Sequence, residues 1–420
     1  MARGLADMLD SRMGRNFWLY AVGRWISRAG WVVQDVAVPL YVLDKTGSGA
    51  MMSLFVMAEL IPGLVVNPIA GVVGDRYDRK KLMYGLDIAR GILLFAVIAF
   101  NLLGIYQLLA VQVVMSVMGA FFSAGIVGMF PDLVEREQLA RANSILQSGG
   151  QVIRILGPIL GGLIYALGGI KLAILINAVS FFGSGLFEVL IDYRRETREL
   201  SSLREVWSEM LDGFRFIKGS KNLMVFVSFG VLLNTLLNPV LVVVIPYLTR
   251  VELGLSSVQF GSVETVATLG ALAGNLLIAL KLGQRSEGML FRALFTELAC
   301  LTALAFVTRS ILGELAYPAL LVTICLIGFF NTLVNVPLFT KLQKAVPDDF
   351  RSRFFTALET VMMATTPLGM ALVGPLLDAA GVTPVVLALT IPSVLIALYY
   401  YLRFGRIVIS IGSEKLEVVP

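Results

Sequence analysis

Six ionisable residues, Asp35, Glu59, Arg90, Arg154, Glu264 and Glu297, lie deep inside long apolar runs of this chain. A charge near the centre of a hydrocarbon layer costs at least about 2.5 to 3.5 kcal/mol, so each is a candidate for binding a proton or for pairing with an opposite charge. The sequence has no histidine. Proton handling near neutral pH therefore falls to carboxylates whose proton affinity is raised by burial or by a like charge. Asp35 and Glu59 stand at similar depths in neighbouring antiparallel runs, roughly 13 Å from the outer surface at 1.5 Å per residue. A proton and a cation can compete for such a pair. Arg154, at mid-depth, needs a counter-charge that Asp35 or Glu59 can supply. Glu264 and Glu297 have no cation nearby in sequence, which leaves a protonated acid or a second coupling site open. Asp87 and Arg90, three apart on one helix face, are expected to pair with each other. Asp87, Glu188, Glu359 and Asp378 lie close enough to run ends to be expected in contact with water.

The elements that hold these residues follow from composition. Of 420 residues 57% are hydrophobic and only 15% charged, with mean hydropathy +0.83, against about 25% charged in a soluble domain. Runs of about 20 apolar residues, enough to cross a core of about 30 Å, recur at 17–43, 50–74, 82–103, 106–129, 143–167, 170–191, 222–248, 257–280, 289–308, 315–338, 354–377 and 381–402. The expectation is an all-α membrane protein with twelve transmembrane helices. The start, MARGLADMLDSRMGRNF, lacks the apolar core of a cleavable signal. Cys300 and Cys325 both fall inside spans, so neither a disulfide framework nor a metal site is expected. The net charge of +5 does not point to nucleic acid, because nearly all loop Lys and Arg fall on one side. The other side has only Lys45, Lys171, Arg250 and Arg309. By the positive-inside rule both termini are cytoplasmic.

The polar stretch 193–221 divides the chain into two sets of six spans, residues 1–192 and 222–420. Landmarks repeat across it in order. Asn16 and Pro39 of the first span match Asn222 and Pro246 of the seventh. Pro131-Asp132 and Gly157-Pro158 around the fifth match Pro347-Asp348 and Gly374-Pro375 around the eleventh. Six spans per half preserve orientation, so two parallel, pseudo-symmetric six-helix bundles are expected.

Between the second and third spans, GVVGDRYDRKK at 71–81 has the form Gly, three residues, Asp-Arg, two residues, Arg-Lys. That string resembles the cytoplasmic loop signature of the major facilitator superfamily. With PDLVEREQLARANS at 131–144, GPILGG at 157–162 and QKAVPDDFRSRFF at 343–355, nearly the whole chain is similar to the bacterial drug and macrolide efflux branch, which also contains siderophore-type exporters. The resemblance implies a conformational latch on Gly71, Asp75, Arg76, Arg79 and Lys80, with Asp75 holding the halves in the outward-facing state. Physically, Gly71 and Gly74 would let helices approach closely, and Asp75 can face a positively polarised helix N-terminus. The resemblance also implies an antiporter kink motif at Gly157, Pro158, Gly161 and Gly162. The second half has only the weaker echo Gly369, Gly374 and Pro375. One departure stands out: the family's usual proton-transfer Arg, three residues before a Gly in the fourth span, is replaced by Ser116 before Gly119.

The resemblance further implies that spans one, four, seven and ten line a cavity. In this chain that would expose Gln34, Gln112, Asn234, Asn238, Asn331 and Asn335, with Phe121, Phe122, Phe329 and Phe330; amides and aromatics suit amphipathic compounds. The expected activity is secondary active export of amphipathic small molecules by proton antiport and alternating access, in a bacterial inner membrane. Its partners would be the substrate, protons and lipid, with no nucleic acid. A monomer without cofactor or metal is expected. Export or flipping of an endogenous metabolite or lipid, such as a siderophore or a lysophospholipid, is the alternative. An enzyme or receptor would need a cluster of reactive groups at one membrane face, which the sequence does not offer. No GxxxxGK[ST] loop is present to bind a nucleotide phosphate.

Overall fold

A computed structural model describes residues 14–193, 203–281 and 289–411. Helices α1 (Gly14–Thr46), α2 (Gly49–Arg76), α3 (Arg79–Ala99) and α4 (Ile105–Met129) follow the first four apolar runs. Two short 3₁₀ turns, Phe130–Leu133 and Arg136–Gln138, lead into Leu139–Val189. That helical stretch is broken at Gly169 (φ 61°, ψ −160°), which separates α5 (139–168) from α6 (170–189). After α7 (Leu203–Gly219) come α8 (Lys221–Pro239), α9 (Ser257–Lys281), α10 (Met289–Ala303), α11 (Ala316–Ala345), α12 (Asp348–Ala380) and α13 (Val382–Ser410). Nine helical stretches among the described residues are long and apolar enough to cross a membrane, and the one at 136–189 holds two spans. With α1 and the short α10, twelve spans are in place.

Helix α8 continues beyond Pro239 through π-helical turns at Val240–Val244 and Leu248–Glu252, with Pro246 between them. Proline supplies no N–H and crowds the carbonyl four residues back, and widened turns accommodate that. The repeat expected from Pro and Gly landmarks extends to the hairpin turns. Gly47 and Gly254 (both φ 59°), Asn101 (φ 52°) and Gly313 (φ 56°), and Gly169 (φ 61°) and Gly381 (φ 77°) occupy corresponding connections of the two halves.

The chain packs as two compact units, one of Met1–Val38 with Pro62–Leu203, the other of Pro39–Ile61 with Arg204–Pro420. The outer ends of α1 and α2 thus belong to the second unit. There Asp378, expected in contact with water, accepts hydrogen bonds from Ser48 Oγ (2.6 Å) and from the Gly49 and Ala50 amides (2.6 and 3.1 Å). This carboxylate caps the N-terminus of α2, where free amides and the helix dipole favour an anion. Arg250 forks onto Asp44 at 2.5 and 3.0 Å and also donates to the Leu255 carbonyl.

Without a hydrophobic force between helices in lipid, close approach at small residues supplies much of the packing. A Cβ at Gly270 of α9 would collide with the Cys325 carbonyl of α11, and one at Gly328 with the Ala267 carbonyl. Leucines at 156, 160, 163 and 167 on α5 and at 368, 372 and 376 on α12 form exposed rows at matching places in the repeat. The linker, read from sequence only as polar, contains α7. Its Gly213 lies against the Arg353 carbonyl, and Phe216 stacks on Phe350 at 5.2 Å.

Gly270→Ala and Gly328→Ala should each destabilise the fold by about 1 to 3 kcal/mol, as for overpacking of a tight contact. Gly71→Ala, where a Cβ would meet nothing within 4 Å, should leave thermal unfolding in detergent unchanged or slightly raised.

Candidate functional site

The signature loop is anchored by residues on both sides of it. Asp78 accepts from the Lys80 and Lys81 amides at 3.0 and 3.2 Å and so caps the start of α3. An Asp immediately before a helix is a readable cap signal; the side chain of Asp75, expected to face a helix N-terminus, lies outside the described residues. Arg79 is buried and reaches Asp132 at 3.7 Å, and Asp132 in turn accepts from Tyr193 Oη at 2.9 Å. Arg76 is exposed and Lys80 half-buried. Gly74 makes the expected close approach, to Ala124 of α4. Gly71 does not: it is exposed and faces open space, so its expected packing role is corrected.

In α5, Gly157 and Gly161 lie against Val32 and Val36 of α1, and Pro158 and Gly162 are buried with them. The same crossing recurs in the second unit, where Gly369 of α12 meets Thr235 and Pro239 of α8. Ser116, the residue in place of a cation, accepts the Gly63 amide at 2.9 Å one residue after Pro62. Its hydroxyl therefore steadies a proline-containing stretch of α2.

Two amides expected to line a cavity lie inside the first unit instead. Gln34 is buried and accepts from Asn177 Nδ2 at 2.7 Å, and Gln112 is buried in α4. Gln34 binds across α1 and α6 because Gly30 lets those helices close to contact at Asn177 and Ser180. Asn234 is half-buried and donates to Thr366 Oγ1 at 3.0 Å, Asn238 is half-buried, and Asn335 is exposed.

Of the deep ionisable residues, Asp35 lies in the first unit and Glu59 in the second, both half-buried. Arg154 is exposed and forms no ion pair among the described residues, so the expected counter-charge is not in contact with it. Glu264 is half-buried on α9. Glu297 is buried on α10 and accepts from Asn331 Nδ2 at 2.8 Å, which joins an expected coupling residue to an expected cavity residue.

The most enclosed charges are elsewhere. Asp87 is 0% exposed, Glu188 1% and Arg90 4%, so the expectation that Asp87 and Glu188 meet water is overturned. Counting residues from a helix end measures depth, whereas neighbouring helices decide burial. Arg90 Nη1 does donate to Asp87 Oδ1, at 3.3 Å, the pairing expected from their spacing. Its guanidinium lies over Phe122 (4.6 Å) and Phe181 (5.3 Å), a cation–π setting. Ser184 Oγ donates to Glu188 Oε1 at 3.3 Å.

The described helices make a twelve-span membrane fold with polar groups organised inside its spans. The family model for the Major Facilitator Superfamily matches residues 20–274, and the chain belongs to that family. It is similar to macrolide efflux protein A of Streptococcus pyogenes, 23% identical over 376 residues that cover 87% of this chain and 90% of the relative. It is also similar to the multidrug efflux pump Tap of Mycolicibacterium fortuitum, 29% identical over 382 residues covering 88% and 90%. Among solved structures, the nucleoside transporter NupG superposes with a TM-score of 0.72 at 15% identity, covering 92% of this chain and 98% of that one. At that identity the likeness speaks for the fold alone.

Ser116→Ala removes the acceptor of the Gly63 amide and should cost about 1 kcal/mol. Amide hydrogen exchange in the peptide containing Gly63 should quicken, with a matching fall in thermal stability.

Proposed function

We propose that this protein is a secondary active exporter in a bacterial cytoplasmic membrane, moving amphipathic small molecules of the macrolide and drug type outward by proton antiport and alternating access. The observation that carries the direction and the cargo class is similarity, over most of both chains, to two proteins named for efflux. Coupling to protons is supported by the carboxylates within the spans of a chain that has no histidine. Asp35, Glu59, Arg154, Glu264 and Glu297 are the residues first assigned to coupling or substrate. Glu297 has the clearest setting among them, buried with a single amide donor from Asn331.

In this reading two six-helix halves, residues 1–192 and 222–420, joined by the 193–221 linker, alternate access to cytosolic substrate. Asn234, Asn238, Asn331 and Asn335 offer it hydrogen bonds. The loop at 71–81 works as a latch on the cytoplasmic face, with Asp75 as its key carboxylate and Arg79 held in place by Asp132. Both termini face the cytoplasm, consistent with the charge bias of the loops. The working unit is a monomer.

In proteoliposomes of known orientation, a macrolide should be moved against its gradient when a pH gradient is imposed, and this uphill movement should vanish when an ionophore collapses the gradient. Undiminished uphill export without a proton gradient would reject proton coupling. Movement of lysophospholipid but of no macrolide would reject the cargo class.

A further inference from the structure

We propose that the Asp87–Arg90–Glu188 cluster, at the junction of α1, α3, α4 and α6, is the proton-carrying site of the transport cycle; this rests on the proton-antiport reading above. The cluster was not among the residues first assigned to coupling. Three observations support it: its enclosure, its unfinished hydrogen bonding and the charges around it.

Asp87 Oδ2, Glu188 Oε2 and Arg90 Nε are buried atoms without a hydrogen-bond partner among the described residues. A static structural ion pair buried in a span survives by satisfying its lone pairs and N–H groups, since each buried bare polar atom is costly. Here the pair has one contact of 3.3 Å between Nη1 and Oδ1 and leaves one oxygen on each carboxylate bare. A proton is the smallest ligand that completes the set. Bound to one carboxylate oxygen it removes a charge and turns that oxygen into a donor.

Each packed element contributes a defined group. From α1, Arg24 interacts electrostatically with both carboxylates and donates to Tyr20 Oη at 3.2 Å. From α3 come Asp87 and Arg90. From α4, Phe122 receives the guanidinium on its face, and Gly119 lies beside Arg90 Nη2, which is 3.4 Å from where a Cβ would sit. From α6, Ser184 bonds Glu188, and the Phe181 ring lies 5.3 Å from the Arg90 guanidinium. Helix α4 supplies no cation of its own, and Arg90 brings one from the neighbouring helix to the Gly119 position.

The step is simple to balance. A proton from the outer bulk forms an O–H bond with Glu188 or Asp87, whose charge goes from −1 to 0, while Arg90 stays with the carboxylate that remains ionised. On the cytoplasmic side the O–H bond breaks, the proton passes to water and the carboxylate regains its charge. Because α3 also begins at the signature loop, with Arg79 on Asp132, a change of charge at Asp87 acts on the helix that carries the latch.

The test uses full-length protein in proteoliposomes and compares wild type with Glu188→Gln and Asp87→Asn. Two transport readouts are taken, uphill movement of a macrolide driven by an imposed pH gradient, and exchange of labelled for unlabelled macrolide at equal pH. The expected result is loss of the driven movement in both variants with exchange retained. Infrared difference spectra on lowering the pH should show a protonated carboxyl band in wild type that Glu188→Gln or Asp87→Asn removes. This second readout keeps the idea exposed if a variant transports poorly for structural reasons, because either variant alone can report the band. Retained drive in both variants, or a carboxyl band unchanged in both, overturns the assignment while leaving antiport intact. If wild type itself shows no response to the pH gradient, antiport falls, and this site falls with it.

Discussion

The constraint on which the whole structure depends is that lipid offers no hydrogen bonds, so each polar group inside the bilayer has to find its partner within the protein. The helices of this chain contain many prolines, Pro39, Pro62, Pro68, Pro158, Pro239, Pro337, Pro367, Pro375 and Pro392 among them. Each one disturbs the backbone ladder, and the response differs from site to site. Beside Pro62 a serine from α4 takes up the Gly63 amide. Around Pro246 the helix widens into π-turns. Asn234, one to two turns before Pro239, ties α8 to Thr366 of α12. Among the described residues a few buried side-chain atoms have no such partner, and the bare oxygens of Asp87 and Glu188 stand out because they are two carboxylates in one cluster, with Arg90 Nε bare beside them.

The same constraint explains the repeat. A six-span unit that works in lipid needs tight crossings at small residues and turns that reverse direction in few residues. Both halves meet those needs alike. Glycine packs α5 on α1 through Gly157 and Gly161, and α12 on α8 through Gly369. Three connections in each half carry a residue at positive φ, with Asn101 the non-glycine member of its pair. Asparagine tolerates that conformation better than most residues. The halves diverge where chemistry is expected. The buried acid–base cluster belongs to the first unit, and the Glu297–Asn331 pair to the second.

Architecture was largely legible in the sequence. Twelve apolar runs, the polar divider and the paired Pro and Gly landmarks led to twelve spans in two halves, because span length and apolarity are set by the bilayer and written one run at a time. The site was less legible. Asp87–Arg90 was readable as a pair from its spacing, since contacts within a helix follow from periodicity. Glu188 was not, because its surroundings include Tyr20 and Arg24 of α1, and no local pattern announces which helices will cover a residue near a span end. Gln34 was misplaced for the same reason. Its partner Asn177 is more than a hundred residues away, and only the close approach of α1 and α6 at Gly30 brings them together.

Ser116 shows what this means for reading function from a motif. Taken alone, the loss of a fourth-span cation weakens the case for proton chemistry, because one position is treated as the whole function. In three dimensions a cation can stand near the fourth span without being part of it. Arg90 brings its guanidinium to the Gly119 face of α4 from α3, and Ser116, relieved of carrying charge, accepts a backbone amide in α2. Arginine suits the place because its guanidinium lies near the rings of Phe122 and Phe181 while keeping an N–H on Asp87. Moving the cation by one helix also changes which acids it can serve. From α3 it sits beside Asp87 and within reach of Glu188 on α6, so those carboxylates, more than Asp35 on α1, share its field.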